Sequence, residues 1–234
     1  MARKRKNGQA NKRKSRQLIA KERPKSPITE QYRTVRTNLE FSSIDTELKS
    51  FLITSPGPAE GKTYSAGNLA VVYAQQGKKV LLVDADMRKP MTHYMFRLDN
   101  LTGLSNVLVG DTPLEDAVSD AGVEHLDVLT CGPIPPNPSE LLGSQKMETF
   151  IEDAKQAYDI VLFDTPPVLA VTDAQILANM CDGSMLVVRS KKTITDAAEK
   201  SVDVLKNATA KFLGAIVNDV DKKKANYYYY YDNH

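Results

Sequence analysis

Apolar residues recur along this chain in two alternating patterns. Short uninterrupted runs occur at "SFLIT" (50–54), "KVLLVDAD" (79–86), "LDVLT" (126–130), "DIVLF" (159–163), "SMLVV" (184–188) and "FLGAIV" (212–217). They lack polar alternation, as parallel strands covered on both faces do, and each is predicted to be a buried strand. Between them, apolar residues return every three or four positions, predicting helices over 63–76, 145–157, 173–180 and 195–208. Gly77 closes the first of these. A further helix is predicted at "ITEQYRTVRTNLEF", where Ile28, Tyr32, Val35 and Leu39 form one apolar stripe. Alternating strands and helices without an internal repeat predict an α/β fold, a doubly wound and mostly parallel sheet. After Val220 the pattern stops.

Charge divides the chain differently. Of its 31 basic and 29 acidic residues, eleven and one fall within 1–25, a net of +10. The remainder holds 20 against 28, a net of −8. Three regions are therefore expected: a basic, disordered arm over 1–25, one domain over 26–220, and a tail over 221–234. The arm could attract nucleic acid or an anionic membrane leaflet, or serve as a solubilising leader. Hydrophobic residues make up 41% of the 234, ample for one core. No run approaches the roughly eighteen apolar residues of a membrane span. No apolar signal core follows the basic N-terminus, so a cytosolic protein is expected. The two cysteines, Cys131 and Cys181, agree with a reducing compartment and make no metal framework. The tail holds half of the ten tyrosines in one run, Tyr227, Tyr228, Tyr229, Tyr230 and Tyr231.

Candidate chemistry begins at "SPGPAEGKT" (55–63), between the first strand and the first helix. Backbone N–H groups of such a turn, with the helix N-terminus, cradle anions. Gly61 permits close backbone approach, Lys62 would reach the β/γ-phosphates, and the Thr63 hydroxyl would bind Mg²⁺. Pro56 stands where the strict phosphate-loop pattern has glycine. Asp84 and Asp86 end the second strand, one β-α-β step beyond Lys62, and Asp164 ends a later one. Ligands of open α/β sheets bind at the carboxyl ends of the strands, so the three aspartates and the Gly-Lys-Thr turn predict a nucleotide–Mg²⁺ site. In "PPNPSELL" the prolines and Asn137 predict a rigid loop leading to a helix capped by Ser139.

Together with "LLVDADMRKP", "GPIPPNPSELL" (132–142), "VLFDTPP", "EQYRTVR" and the tyrosine tail, this turn resembles the bacterial tyrosine kinases of capsule and exopolysaccharide assembly, relatives of the MinD/ParA ATPases. The resemblance runs from about Ser26 to the end. The family's phosphate turn also lacks the first glycine. MinD and ParA proteins carry a signature lysine where this chain has Gly57, which separates it from a positioning ATPase of that branch.

The resemblance implies a P-loop fold and an ATP- and Mg²⁺-dependent, autophosphorylating protein-tyrosine kinase whose substrate includes the tail tyrosines. Gly57, Pro58, Ala59, Glu60, Gly61, Lys62 and Thr63 would form the phosphate cradle, and Thr63, Asp86 and Asp164 would hold Mg²⁺. The base that takes the tyrosine proton would be Asp84 or Asp86. Asn218 would contact adenine or be a strand-end turn residue. Glu30, Arg33 and Arg36 would join subunits into a ring. The implied partners are a membrane-bound activator with a cytosolic tail and a cognate tyrosine phosphatase, with no nucleic acid.

Overall fold

The computed structural model describes residues 18–42 and 47–221. The arm up to residue 17 and the five tail tyrosines lie outside them. Seven strands form one sheet in the order β3-β4-β2-β5-β1-β6-β7. They are β1 (Ser50–Thr54), β2 (Val80–Asp84), β3 (Ser119–Asp120), β4 (Leu126–Leu129), β5 (Ile160–Asp164), β6 (Gly183–Arg189) and β7 (Lys211–Asn218). All pairings are parallel except β3 with β4. The chain runs from β1 towards β4, returns to insert β5 beside β1, then continues to β6 and β7. The direction of winding thus reverses around β1, and that crevice is where such sheets take ligands.

The ten helices of the described residues are α1 (Ile19–Glu22), α2 (Pro27–Ser42), α3 (Lys62–Ala74), α4 (Thr92–Phe96), α5 (Leu104–Val109), α6 (Leu114–Ala117), α7 (Pro138–Leu142), α8 (Gln145–Ala157), α9 (Asp173–Ala178) and α10 (Thr195–Lys206). Two apolar clusters cover the two faces of the sheet. One joins Leu52, Leu81, Phe163 and Leu186 to α5, α8, α9 and α10. The other joins Phe51, Ile53, Leu82 and Leu162 to α1, α2 and α3. Helix α3 is the most enclosed, buried without a break from Ser65 to Ala74. Each large apolar side chain buried this way stabilises the fold by about 1.5–3 kcal/mol.

Four sequence expectations change. Residues 18–25 are not part of a disordered arm: Leu18 and Ala20 are buried, and the Ala20 N–H donates to Asn68 Oδ1 at 2.8 Å. Gly67 makes room for them, because a Cβ there would stand 2.8 Å from Leu18. Ile28 leaves the apolar stripe and is 44% exposed. The buried place in the first turn of α2 goes to Thr29, whose hydroxyl donates to the Arg23 carbonyl at 2.9 Å. Strand β7 is half-exposed along its length because it is an edge. Ser139 is no cap: it lies inside α7, whose N-cap position is Asn137.

Candidate active site

The backbone alone brings the predicted carboxylates together. Asp84 and Asp164 are register partners at the ends of β2 and β5, and Ile53 of β1 pairs with Asp164 on its other side. The turn after β1 enters α3 through Gly61, held at φ 97°. A Cβ on Gly61 would stand 2.0 Å from Asn218 Nδ2. Left-handed backbone and a close neighbour both require glycine here.

Lys62 lies at the centre. Its ammonium is 3.0 Å from Asp86 Oδ2 and 3.0 Å from Asp164 Oδ1, and 3.3 Å from the Thr63 hydroxyl. Burial alone would lower the Lys62 pKa, but the charges of Asp164 and Asp86 outweigh it and hold it raised. Asp86 also closes its own turn by accepting the Lys89 N–H at 3.0 Å. Asp84 is wholly buried. It accepts backbone N–H groups of Met91 and Thr92 on one oxygen and of Asp86 on the other. Burial, then the neighbouring Asp164 charge, push the Asp84 carboxyl up to about 7. Burial likewise raises Asp164, with Lys62 opposing. Cys131, just beyond β4, is driven up to about 12 by burial and by the Asp84 and Asp86 charges, so it stays a thiol.

Two features fit a divalent cation. Three carboxylates share one ammonium, an excess of negative charge in a buried place. Asp164 Oδ2 is also buried without a hydrogen-bond partner. Among the described residues no three acidic, His or Cys side chains form a closed metal cage. Mg²⁺ does not require one, since it keeps several waters and takes one or two carboxylates.

The remaining predicted residues divide. Gly57, Pro58 and Ala59 form the turn, with the Ser55 hydroxyl donating to the Gly57 carbonyl at 2.8 Å. The Glu60 side chain is held outside the cradle, accepting the Arg189 N–H at 2.9 Å and the Thr193 hydroxyl at 2.6 Å. Only its backbone is left to serve phosphate. Asn218 Nδ2 donates to the Glu60 carbonyl at 2.9 Å, so it braces the turn from behind. In α2, Glu30 and Arg33 pair with each other on the surface and Arg33 also donates to Gln75 Oε1 at 3.3 Å, while Arg36 donates to the Val72 carbonyl of α3 at 2.8 Å.

A second cluster was missed from sequence. The guanidinium of Arg88 grips fully buried Asp173 through Nε at 2.9 Å and Nη2 at 3.0 Å. The Ser139 hydroxyl donates to Asp173 at 2.8 Å and accepts from Arg88 at 2.8 Å. These residues are far apart in the chain, and no local spacing signals their pairing. Their only sequence sign is that Arg88 and Ser139 lie in "MRKP" and "PPNPSELL".

A family model described as an AAA domain matches residues 59–212. Tyrosine-protein kinase YwqD of Bacillus subtilis is 54% identical over 219 residues, covering 94% of this chain and 92% of that protein. Putative tyrosine-protein kinase CapB of Staphylococcus aureus is 44% identical over 215 residues, covering 92% and 94%. Tyrosine-protein kinase etk of Escherichia coli is 37% identical, but the match spans 31% of its length against 96% of this chain. Among solved structures, the chimerical protein CapA2B2 superposes with a TM-score of 0.85 at 43% identity, over 88% of this chain and 90% of that one. MinD of Pyrococcus horikoshii, complexed with Mg-ADP, is more distant, with a TM-score of 0.63 at 27% identity over 76% of each chain. Two named tyrosine-protein kinases are thus matched along nearly their whole length, and the chain belongs to the bacterial tyrosine-protein kinases, built on an AAA-type P-loop domain.

Proposed function

We propose that the chain is an ATP-dependent protein-tyrosine kinase that phosphorylates its own tail and regulates capsular or extracellular polysaccharide synthesis and export. The observation that carries this reading is the buried group of Lys62, Asp86 and Asp164 beside Asp84, at the crevice where the sheet reverses its winding. Phosphoryl transfer asks mainly for positioning and charge neutralisation. The turn from Gly57 to Thr63 receives the phosphates. Lys62 leaves its two carboxylates and pairs with the β/γ-phosphates. Thr63, Asp86 and Asp164 would hold Mg²⁺, which when bound would supply further positive charge to the phosphates. The γ-phosphorus–oxygen bond to ADP breaks as the bond to the tyrosine oxygen forms.

The tyrosine proton must go to a nearby base. Asp84, raised to about 7, is matched to proton uptake near neutral pH, where an ordinary carboxylate is not. Asp86 is occupied by Lys62 until nucleotide enters. Tail tyrosines Tyr227 to Tyr231 are the acceptors, and each phosphate adds about −1.5 to −2 charges. Exposed Glu30 and half-buried Arg33, with Arg36, join copies into a ring in which one tail meets a neighbouring site. A membrane-bound activator binds through its cytosolic tail and draws the chain to the inner membrane face; a tyrosine phosphatase resets it. The described residues include no helix long and apolar enough to cross a membrane.

Purified chain, incubated with labelled ATP and Mg²⁺ with and without an activator's cytosolic peptide, should gain phosphotyrosine confined to the tail. Hydrolysis of ATP without any phosphotyrosine would instead assign the chain to the positioning ATPases.

A further inference from the structure

The Asp86 turn and the loop after Asp164 leave different strands, β2 and β5. Strand pairing fixes Asp84 against Asp164 but ends before Asp86, which follows β2 by two residues. The Ala85 N–H carries the tie one residue further by donating to the Asp164 carbonyl at 2.8 Å, and Lys62 bridges the two carboxylates until phosphate draws it away. Asp86 itself is held by its N–H on Asp84 Oδ1 and by its own turn through Lys89 N–H. Once Lys62 has turned to phosphate, a further restraint on this turn is the Arg88 cluster. Arg88 lies two residues beyond Asp86, Asp173 opens α9 at the far end of the loop that begins at Asp164, and Ser139 belongs to α7.

Its chemistry suits holding a position. Asp173 is fully buried, and both its oxygens are taken by Arg88. A two-pronged guanidinium–carboxylate contact fixes orientation as well as distance, which a lysine in its place cannot do. Ser139 closes a third side by bonding to both partners. The "GPIPPNPSELL" segment (132–142) is thus tied at Ser139, and its first residue is tied too. Asn100 exchanges two hydrogen bonds with Gly132, at 2.8 and 2.9 Å.

We propose that Arg88, Asp173 and Ser139 form a latch that sets the spacing between Asp86 and Asp164, and hence the site's response to Mg²⁺. The inference rests on the kinase reading for the identity of the ion, though not for the latch itself. None of the three touches phosphate or the reacting tyrosine; they act through Asp86 and its turn.

The test uses full-length chain and the variants Ser139→Ala, Arg88→Lys and Arg88→Met. A fluorescent ATP analogue is bound first without Mg²⁺ and then titrated with it. Without Mg²⁺ all variants should bind within about twofold of wild type, because the phosphate turn lies on β1 and α3. The Mg²⁺ concentration at half response should rise about tenfold in both Arg88 variants and less in Ser139→Ala, on the scale of lost outer partners of metal ligands. Arg88→Lys keeps the charge, so its failing alongside Arg88→Met separates orientation from electrostatics. An unchanged Mg²⁺ midpoint in all three variants would overturn the latch, as would equal losses with and without Mg²⁺. If Arg88→Met fails to fold, the milder Ser139→Ala and Arg88→Lys still decide. A wild type that never phosphorylates tyrosine would count against the kinase reading alone, because the midpoint is read from binding.

Discussion

The two ends of the sheet each set aspartate against lysine, half-buried at one end and buried at the other, and they treat the carboxylates in opposite ways. At the N-terminal end, Asp182 accepts the N–H groups of Lys49 and Ser50 and the Ser50 hydroxyl on one oxygen, and Lys155 on the other. Burial alone would raise its pKa, but these bonds from Ser50 and Lys155 outweigh it and hold it lowered. At the C-terminal end, Asp84 and Asp164 are raised and one Asp164 oxygen has no partner. The first arrangement is complete as it stands. The second is unbalanced without positive charge from elsewhere. A satisfied polar cluster stabilises the fold, whereas an unsatisfied one costs stability and marks where a ligand belongs.

The largest effect should come from the unbalanced end. Lys62→Met removes the one ammonium that, among the described residues, bonds Asp86 and Asp164, and with it the charge proposed to meet the transferring group. Tyrosine phosphorylation should fall at least about 10³-fold, the scale of losing one strong stabiliser of transition-state charge. The fold should survive, because a buried carboxyl deprived of its cation takes up a proton instead. Near-normal autophosphorylation by this variant would remove Lys62 from the mechanism.

At the balanced end, Asp182→Ala should cost about 2–3 kcal/mol of stability, the range for losing hydrogen bonds to a charged group, and leave the nucleotide response unchanged. The sign with pH follows from the lowered pKa. The contribution of Asp182 is present above its unfolded range near pH ~4 and is lost as pH falls through the folded value. Denaturant melts of wild type and variant should differ fully at neutral pH and converge in acid. A constant gap across that range would mean that the Asp182 charge contributes nothing.

Asp84 should show the opposite sign. Its carboxyl is raised to about 7, so its stabilising contribution is present below pH ~4 and lost as pH rises through about 7. Asp84→Asn should therefore gain on wild type in melts between pH 5 and 8, by on the order of 1 kcal/mol. The amide replaces one oxygen that accepts the Asp86 N–H, which offsets part of the gain at every pH alike. If Asp84 is also the base, the wild-type rate should rise through an inflection near 7. A variant with residual activity and the same inflection would move that role to Asp86.

How much of this was legible in sequence depended on whether the signal was local. Long strands and helices were visible because burial on both faces leaves an apolar run or a 3.6-residue stripe. The Lys62, Thr63, Asp84, Asp86 and Asp164 set was visible because Lys62 and Thr63 start a helix, Asp84 and Asp164 end strands and Asp86 follows two residues after one. Helices α4 to α7 and strand β3 are too short to carry a period. The roles of Glu60, Asn218 and Arg88 were hidden for another reason. Glu60 bonds Thr193, Asn218 bonds Glu60, and Arg88 bonds Asp173, all across the fold. A side chain's direction in such contacts is decided by tertiary packing. Glu60 lies in the turn after β1, but its side chain points to the turn's support.

Helix α3 joins the two kinds of region, and its far end yields the smallest effect. Lys62 opens α3 at the active site, while Arg36 donates to the Val72 carbonyl in its last turn and lies 3.8 Å from Glu40. A guanidinium there satisfies a terminal carbonyl and complements the helix dipole, worth about 1 kcal/mol. Glu30 and Arg33 are different: their mutual ion pair is on the surface, where such a pair contributes at most about 0.5 kcal/mol. Arg36→Ala should therefore lower the stability of the chain, whereas Glu30→Ala with Arg33→Ala should hardly change it. Should all three residues hold a ring together, the double variant will dissociate it in light scattering at unchanged melting temperature. A double variant that remains assembled would assign Arg36 to bracing α3 and take "EQYRTVR" out of the interface.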